Sequence, residues 1–198
     1  NKLKDKVEKI PYTNMGEVIK SVDRGNVEEG IVPIENSIEG SVNVTLDYLT
    51  FETEAKIIRE ITIPIKHSLI STEKVSPEGI KKIISHPHAT AQCKNYINTY
   101  LKHAEIIAAN STAEAIKMLK EEENGIAAIG TRTAAAIYGL EIIQSDIEDN
   151  KENKTRFVFI GNRIQPRTGS DKTSIVCFLK QDRPGSLFSI LKEFAERD

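Results

Sequence analysis

The sequence has no tryptophan, two cysteines and four histidines, and each scarcity removes a class of chemistry. Cys93 and Cys177 lie far apart and form no metal-ligand spacing, so both are expected to be reduced core thiols. His67 and His103 make no cluster with His86 and His88, so no metal site is expected. There is no glycine-rich loop of dinucleotide or P-loop spacing, and no Ser or Cys sits in a nucleophile elbow. A net charge of −2 gives no broad positive field for nucleic acid, so any anion must be held by local donors. The nearest thing to a membrane span, Ile126 to Ile143, is broken by Thr131, Arg132 and Thr133. "NKLKDKVEKI" lacks the apolar core of a secretion signal. With 28% charged and 39% hydrophobic residues, the expectation is a cytoplasmic globular protein without membrane or nucleic-acid partners.

What is present is rhythm. Asn14 and Glu17 form a capping box before Met15, Val18, Ile19 and Val22 at helical spacing, with Gly25 to stop the helix. "GIVPIENS" reads as a short strand with a polar end, and "SVNVTLDYL" as a helix capped by Ser41. "IIREITIPIKHSLI" is a long strand or a strand pair. From Ser76 onward strands alternate with helices: "KKIIS", "HATAQCKNYINTYL", "EIIAA", Ser111 to Lys120, "GIAAI", Thr131 to Tyr138 closed by Gly139, and "LEIIQ". That alternation implies parallel β-α-β units and an α/β fold. "SDIEDNKENK" is a polar loop, "NKTRFVFIG" a strand, and "NRIQPRTGSD" a linker. "KTSIVCFLK" then predicts a strand and "LFSILKEFAERD" a helix, a pair too small to enclose a core.

In four places an apolar strand ends, small polar residues follow and a helix begins: "VPIENSIEGS", "IISHPHAT", "IAANSTAEA" and "AAIGTRTA". Ligands of open α/β sheets sit beyond such strand ends, where helix N–H groups are unpaired. The same residues are also the ordinary helix caps of any α/β fold. Two roles stand for Glu35 (cleft carboxylate or salt-bridge partner) and for His86 (substrate contact or helix cap). In "NKTRFVFIG" Thr155 and Arg156 open an otherwise apolar strand, so they must find partners, reach solvent or line a cleft.

Taken in order, "GIVPIENSIEGSVNVTLDYL", "EITIPIKHSLI", "HPHATAQC", "NSTAEA", "AAIGTRTAAAIYGL" and "NKTRFVFIG" resemble the prephenate dehydratase family. "SIVCFLKQDRPGSLFSILKEFA" resembles the start of an ACT domain. The resemblance implies a two-lobed, periplasmic-binding-protein-like (type II) catalytic region with a cleft, followed by a truncated α+β, ferredoxin-like ACT module. Lobe one would hold residues 1–66 and 155–161, lobe two residues 67–154, with a linker at 162–171 and the partial ACT module at 172–198. The implied reaction is decarboxylating dehydration of prephenate to phenylpyruvate. Aromatisation drives it, so no cofactor or metal is required. The resemblance makes Thr155 the proton donor, and Glu35 is the candidate group to stabilise or replace its proton. Asn36, Ser37, Ser41, Thr112 and Thr131 become candidate donors to substrate carboxylates, joined by His86. Arg156 would bind a carboxylate or brace the hinge, and Phe157 would shape the ring pocket or the strand core. Pro184, Gly185, Ser186 and Leu187 match loosely the motif through which ACT modules bind phenylalanine as allosteric effector. A homo-oligomer, dimer or tetramer, is expected. Arogenate dehydratase and a non-catalytic anion-binding module are the alternatives. The family's "GPxGTFS"-like turn and "ESRP"-like motif are absent, and His88 stands where glutamine is usual.

Overall fold

The computed structural model describes residues 7–121, 124–179 and 183–197. The chain opens with α1 (Met15–Asp23). Asn14 Oδ1 accepts the Glu17 N–H at 2.9 Å, while the Glu17 carboxylate returns to the N–H and hydroxyl of Thr13, one residue upstream of the expected box. Next come β1 (Glu29–Asn36), β2 (Gly40–Ser41), α2 (Asn43–Asp47), a π-helical turn at Tyr48–Glu52, and β3 (Lys56–Pro64). Ser41 does not cap α2: it is paired with Glu35 in the sheet, and Val42 at the helix start supplies no side-chain cap.

The alternating segment follows as β4 (Ser68–Ser71), β5 (Lys82–Ser85), α3 (Pro87–Gln92), α4 (Lys94–Tyr100), β6 (Glu105–Ala108), α5 (Thr112–Leu119), β7 (Ile126–Gly130), α6 (Arg132–Tyr138) and β8 (Glu141–Ser145). The single helix expected after "KKIIS" is two, broken at Cys93 (φ −116°, ψ 21°). The chain ends with β9 (Lys154–Gly161) and α7 (Ser186–Ala195).

Two sheets result. One has the order β2-β1-β9-β3 and the other β6-β5-β7-β4-β8. β5 pairs in parallel with β6 and β7, but β4 is antiparallel to both of its neighbours, β7 and β8. β9 therefore returns after the second sheet is complete and lies between β1 and β3 of the first. The first sheet packs Val32, Ile34, Val158 and Ile160 against Ile19 and Val22 of α1. The second buries apolar residues on both faces, Ile83 and Leu69 towards α3 and α4, Ile84 and Ile70 towards α5. Sheets covered on both faces need such near-continuous apolar strands.

The chain crosses between the sheets twice, at residues 65–67 and 146–153, and the crossings are tied together. Ile65 N–H donates to Asn153 O at 2.9 Å, and Ile147 N–H donates to His67 O at 3.0 Å. The buried Glu148 carboxylate accepts the His67 N–H at 2.9 Å and Lys66 Nζ at 3.0 Å, with Lys151 Nζ 3.5 Å away. Burial pushes this carboxyl up, but the hydrogen bonds from His67 and Lys66 and the Lys151 charge outweigh it. The net result lies below the ordinary value of 4.5.

The C-terminal residues depart from expectation. Residues 172–179, expected as a strand with Lys180, belong to no strand, and Lys180 lies outside the described residues. Leu187, Phe188, Leu191 and Phe194 of α7 are exposed. Cys177 is exposed and not a core thiol, whereas Cys93 is buried, its thiol pushed up to about 12 by burial and by the nearby Asp149 and Glu148. Among the described residues no helix is long and apolar enough to cross a membrane.

A Cβ on Gly30 would stand 2.8 Å from Val18 Cγ1 and 3.0 Å from Val22 Cγ2, both methyls of stiff side chains on α1. Gly30→Ala is expected to lower unfolding free energy by about 1–3 kcal/mol in urea titration. Because the Glu148 carboxyl titrates below its ordinary value when folded, its stabilisation is complete above that value. It is lost as pH falls through the folded value. Glu148→Gln should cost about 1–3 kcal/mol at neutral pH, flatten the acid limb of stability against pH, and converge with the native protein at the acid end.

Candidate active site

The site grows from the pairing of β1 with β9. Val32 pairs with Val158 and Pro33 with Phe157, then β1 inserts an extra residue at Ile34. Beyond that bulge Glu35 pairs with Arg156, and Asn36 with Thr155. Successive strand residues face opposite sides of a sheet, so the bulge puts Glu35 with Arg156 on one face and Asn36 with Thr155 on the other.

On the second face a polar network forms. Asn36 Oδ1 accepts the N–H groups of Ile38 at 2.9 Å and Glu39 at 3.0 Å. That fixes which end of the amide is nitrogen. Asn36 Nδ2 donates to Thr155 Oγ1 and to Asn153 Oδ1, each at 2.9 Å. Since Thr155 Oγ1 accepts from Asn36, its own proton remains free to be donated elsewhere. Asn153 Nδ2 donates to Gln92 Oε1 at 3.2 Å, and that oxygen lies 2.9 Å from His67 Nε2. Gln92 Oε1 is an acceptor, so His67 Nε2 is the donor.

A cavity of about 490 Å³ opens between the lobes, within the usual range for small ligands. Its walls are Ile38 and Glu39 from lobe one, Pro87, His88, Ala91 and Gln92 from α3, and Glu148, Asp149, Asn150 and Asn153 from the second crossing. Glu39 Oε1 accepts from His88 Nδ1 at 2.8 Å and from Gln92 Nε2 at 3.3 Å, joining the lobes beside the cavity.

The expected residues divide between this network and other duties. Thr155, Asn36 and Ser37 are brought together where β1 and β9 end. Ser37 Oγ accepts the Lys154 N–H at 2.9 Å, so it pins β9 to the end of β1. Thr155 is half-buried and lies behind the cavity wall, linked to the lining residue Asn153 only through Asn36. Glu35, expected as the partner of Thr155, is not: it takes Arg156 Nε at 3.1 Å on the opposite face. Asn36, expected as a donor to a substrate carboxylate, directs its amide nitrogen to Thr155 and Asn153 instead. Arg156 also reaches Glu60 at 3.3 Å, so both sides of its guanidinium are engaged and it braces the sheet. Glu60 in turn holds Lys172; that hydrogen bond, and less strongly Arg156, keep its carboxyl below the usual range against the opposing effect of burial. Phe157 is half-buried between Pro33 and Ile61, on the face of Thr155.

His86 caps α3, its Nδ1 accepting the His88 N–H at 3.3 Å. Thr131 caps α6 through Ala134 N–H at 3.2 Å, and Ser111, not Thr112, caps α5. None of the residues expected at the site lines the cavity: not Thr155, Glu35, Asn36, Ser37, Arg156, Phe157 or His86, nor Ser41, Thr112 and Thr131. Pro184, Gly185, Ser186 and Leu187 form the exposed turn into α7, with Gly185 at φ +89°. Sequence reasoning missed Glu39, Gln92 and Asn153. Each is an ordinary polar residue in a turn, helix or loop, and only their convergence marks them. Among the described residues no group of three His, Cys, Asp or Glu side chains is placed to hold a metal ion.

Known proteins share this sequence and geometry. A family model described as prephenate dehydratase matches residues 1–165. The chain is 45% identical over 195 residues to a prephenate dehydratase of Methanocaldococcus jannaschii, covering 96% of this chain and 69% of that protein. It is 39% identical over 184 residues to a bifunctional chorismate mutase/prephenate dehydratase of Pseudomonas aeruginosa, covering 93% of this chain and 50% of that protein. The solved prephenate dehydratase of Arthrobacter aurescens, in complex with L-Phe, matches with a TM-score of 0.83 at 38% identity, covering 95% of this chain and 63% of that one. The chain thus spans from half to somewhat over two thirds of the length of these relatives. The chain belongs to the prephenate dehydratase family.

Proposed function

We propose that this chain carries the prephenate site of its parent protein and catalyses loss of carbon dioxide and water from prephenate to give phenylpyruvate. The observation that carries this reading is the Thr155 hydroxyl, held by Asn36 at the hinge with its proton unspent. In the reaction the bond between ring and carboxylate breaks. Its electron pair enters the ring, and the ring carbon–oxygen bond opposite breaks as the ring becomes aromatic. Thr155 gives its proton to the departing oxygen, which leaves as water. The resulting alkoxide is stabilised by the Asn36 N–H and is reprotonated from solvent. Asn36 cannot swing away, because its carbonyl is occupied by two backbone N–H groups. Aromatisation supplies the driving force, so the chemistry calls for no redox cofactor or metal.

Arogenate is the second reading for the substrate. It carries an ammonium on the side arm, and Glu39 and Asp149 on the cavity wall are suited to such a group. The Arthrobacter relative's complex with L-Phe supports feedback by phenylalanine, and Pro184, Gly185, Ser186 and Leu187 are the effector contacts we assign. The exposed apolar residues of α7 support pairing of the C-terminal module in a dimer or tetramer. The lobes are residues 1–66 with 155–161, and 67–154, and the cytoplasm is the assigned compartment.

The test is turnover of prephenate and of arogenate by the full-length parent, with and without phenylalanine. Thr155→Ala is expected to lower kcat by at least about 10²-fold, with Thr155→Ser retaining most activity. Native kcat in Thr155→Ala would remove the assignment. Asn36→Ala should cost about tenfold in kcat, the worth of one hydrogen bond to a developing charge.

A further inference from the structure

We propose that His88 and Glu39 form a proton-sensitive latch that holds the two lobes closed over the cavity. Glu39 follows β1 in lobe one, and His88 lies in the first turn of α3 in lobe two. Their 2.8 Å contact spans from one wall of the cavity to the other. Gln92, one turn further along α3, donates to the same carboxylate oxygen at 3.3 Å. Parting the walls must break both bonds.

A carboxylate only accepts, so His88 Nδ1 carries a proton in either charge state of the ring. A second proton on Nε2 makes the ring an imidazolium and the bond charge-assisted, about twice as strong as the neutral one. The Gln92 bond is indifferent to pH. Raising pH therefore loosens the latch without removing it. Other charged or titratable groups face this pair. His86 stacks on His88 with ring centroids 5.3 Å apart, and Glu148 and Asp149 stand on the cavity wall with Lys66 and Lys151 beside Glu148. The His88 and Glu39 side chains are 66% and 47% exposed, so the pair senses bulk pH and is worth little. The closed-to-open ratio should shift by about three- to fivefold. This latch stands whether the cavity holds prephenate, arogenate or another anion.

The experiment places spin labels at Glu54→Cys and Lys102→Cys, one exposed position on each lobe, in a Cys177→Ser background, with Cys93 buried and unreactive. Inter-lobe distances are measured by pulsed dipolar spectroscopy at about pH 5.5 and about pH 8.5, spanning the change in imidazole charge. The expected result is a drop of about three- to fivefold in the closed-to-open ratio at the higher pH, the scale of an exposed pair. His88→Gln keeps a donor that cannot change charge, and Glu39→Gln removes the carboxylate; both should abolish most of that drop. An unchanged pH response in His88→Gln, with His86, His67 and His103 still in place, would overturn the latch. So would a native protein whose distances do not respond to pH. The readout needs no turnover, so failure of the latch is distinguishable from failure of the catalytic assignment.

Discussion

The side chain of Asn36 is the piece on which the site depends. Its carbonyl is taken by the backbone N–H groups of Ile38 and Glu39, so its nitrogen has one orientation. That nitrogen supplies both remaining bonds, to Thr155 and to Asn153. A single amide thereby shapes the turn after β1, fixes the Thr155 hydroxyl and anchors the second crossing between lobes. The three functions come from four hydrogen bonds on one small, half-buried group, and none can be moved independently of the others.

The extra residue at Ile34 has an equally large effect. An unbroken ladder would continue the alternation of Val32 and Ile34, both inward, and place Glu35 outward with Ile31. The bulge puts Glu35 opposite Arg156 and Asn36 opposite Thr155. Separating them gives one face of the sheet a charged brace, Glu35–Arg156–Glu60, and the other a neutral donor network. A neutral amide beside a threonine favours loss of the threonine proton, because it stabilises the anion left behind. A carboxylate at the same place would oppose it.

The hinge and the cleft share their parts. Glu148 ties the crossings and also forms cavity wall, and Asn153 does both as well. The crossings are therefore joined by hydrogen bonds to the residues around Thr155. Gln92 extends that network to Glu39 on the far wall, and His88 adds to it a bond whose strength depends on a proton. The Glu60–Lys172 contact and the Phe51–Phe178 ring pair, at 5.7 Å, fasten the segment after the linker to lobe one.

Local chemistry was legible in the sequence where neighbours in the chain decide it. Asn14, Ser111 and Thr131 cap the helices they precede, Gly139 ends α6 at φ +66°, and the apolar strands β5 and β7 are buried as their composition requires. Motif order also carried the family. Capping, periodicity and turn residues act over a few positions, so one stretch of sequence contains their cause. Tertiary structure alone decided that Asn36, and not Glu35, meets Thr155, because a one-residue bulge cannot be read from composition. It also decided that residues 172–179 belong to no strand, and that Glu39, Gln92 and His88 meet at all. Glu39 stands 49 positions from His88 and 53 from Gln92 in the chain. Only the crossing of two lobes brings them within a hydrogen bond.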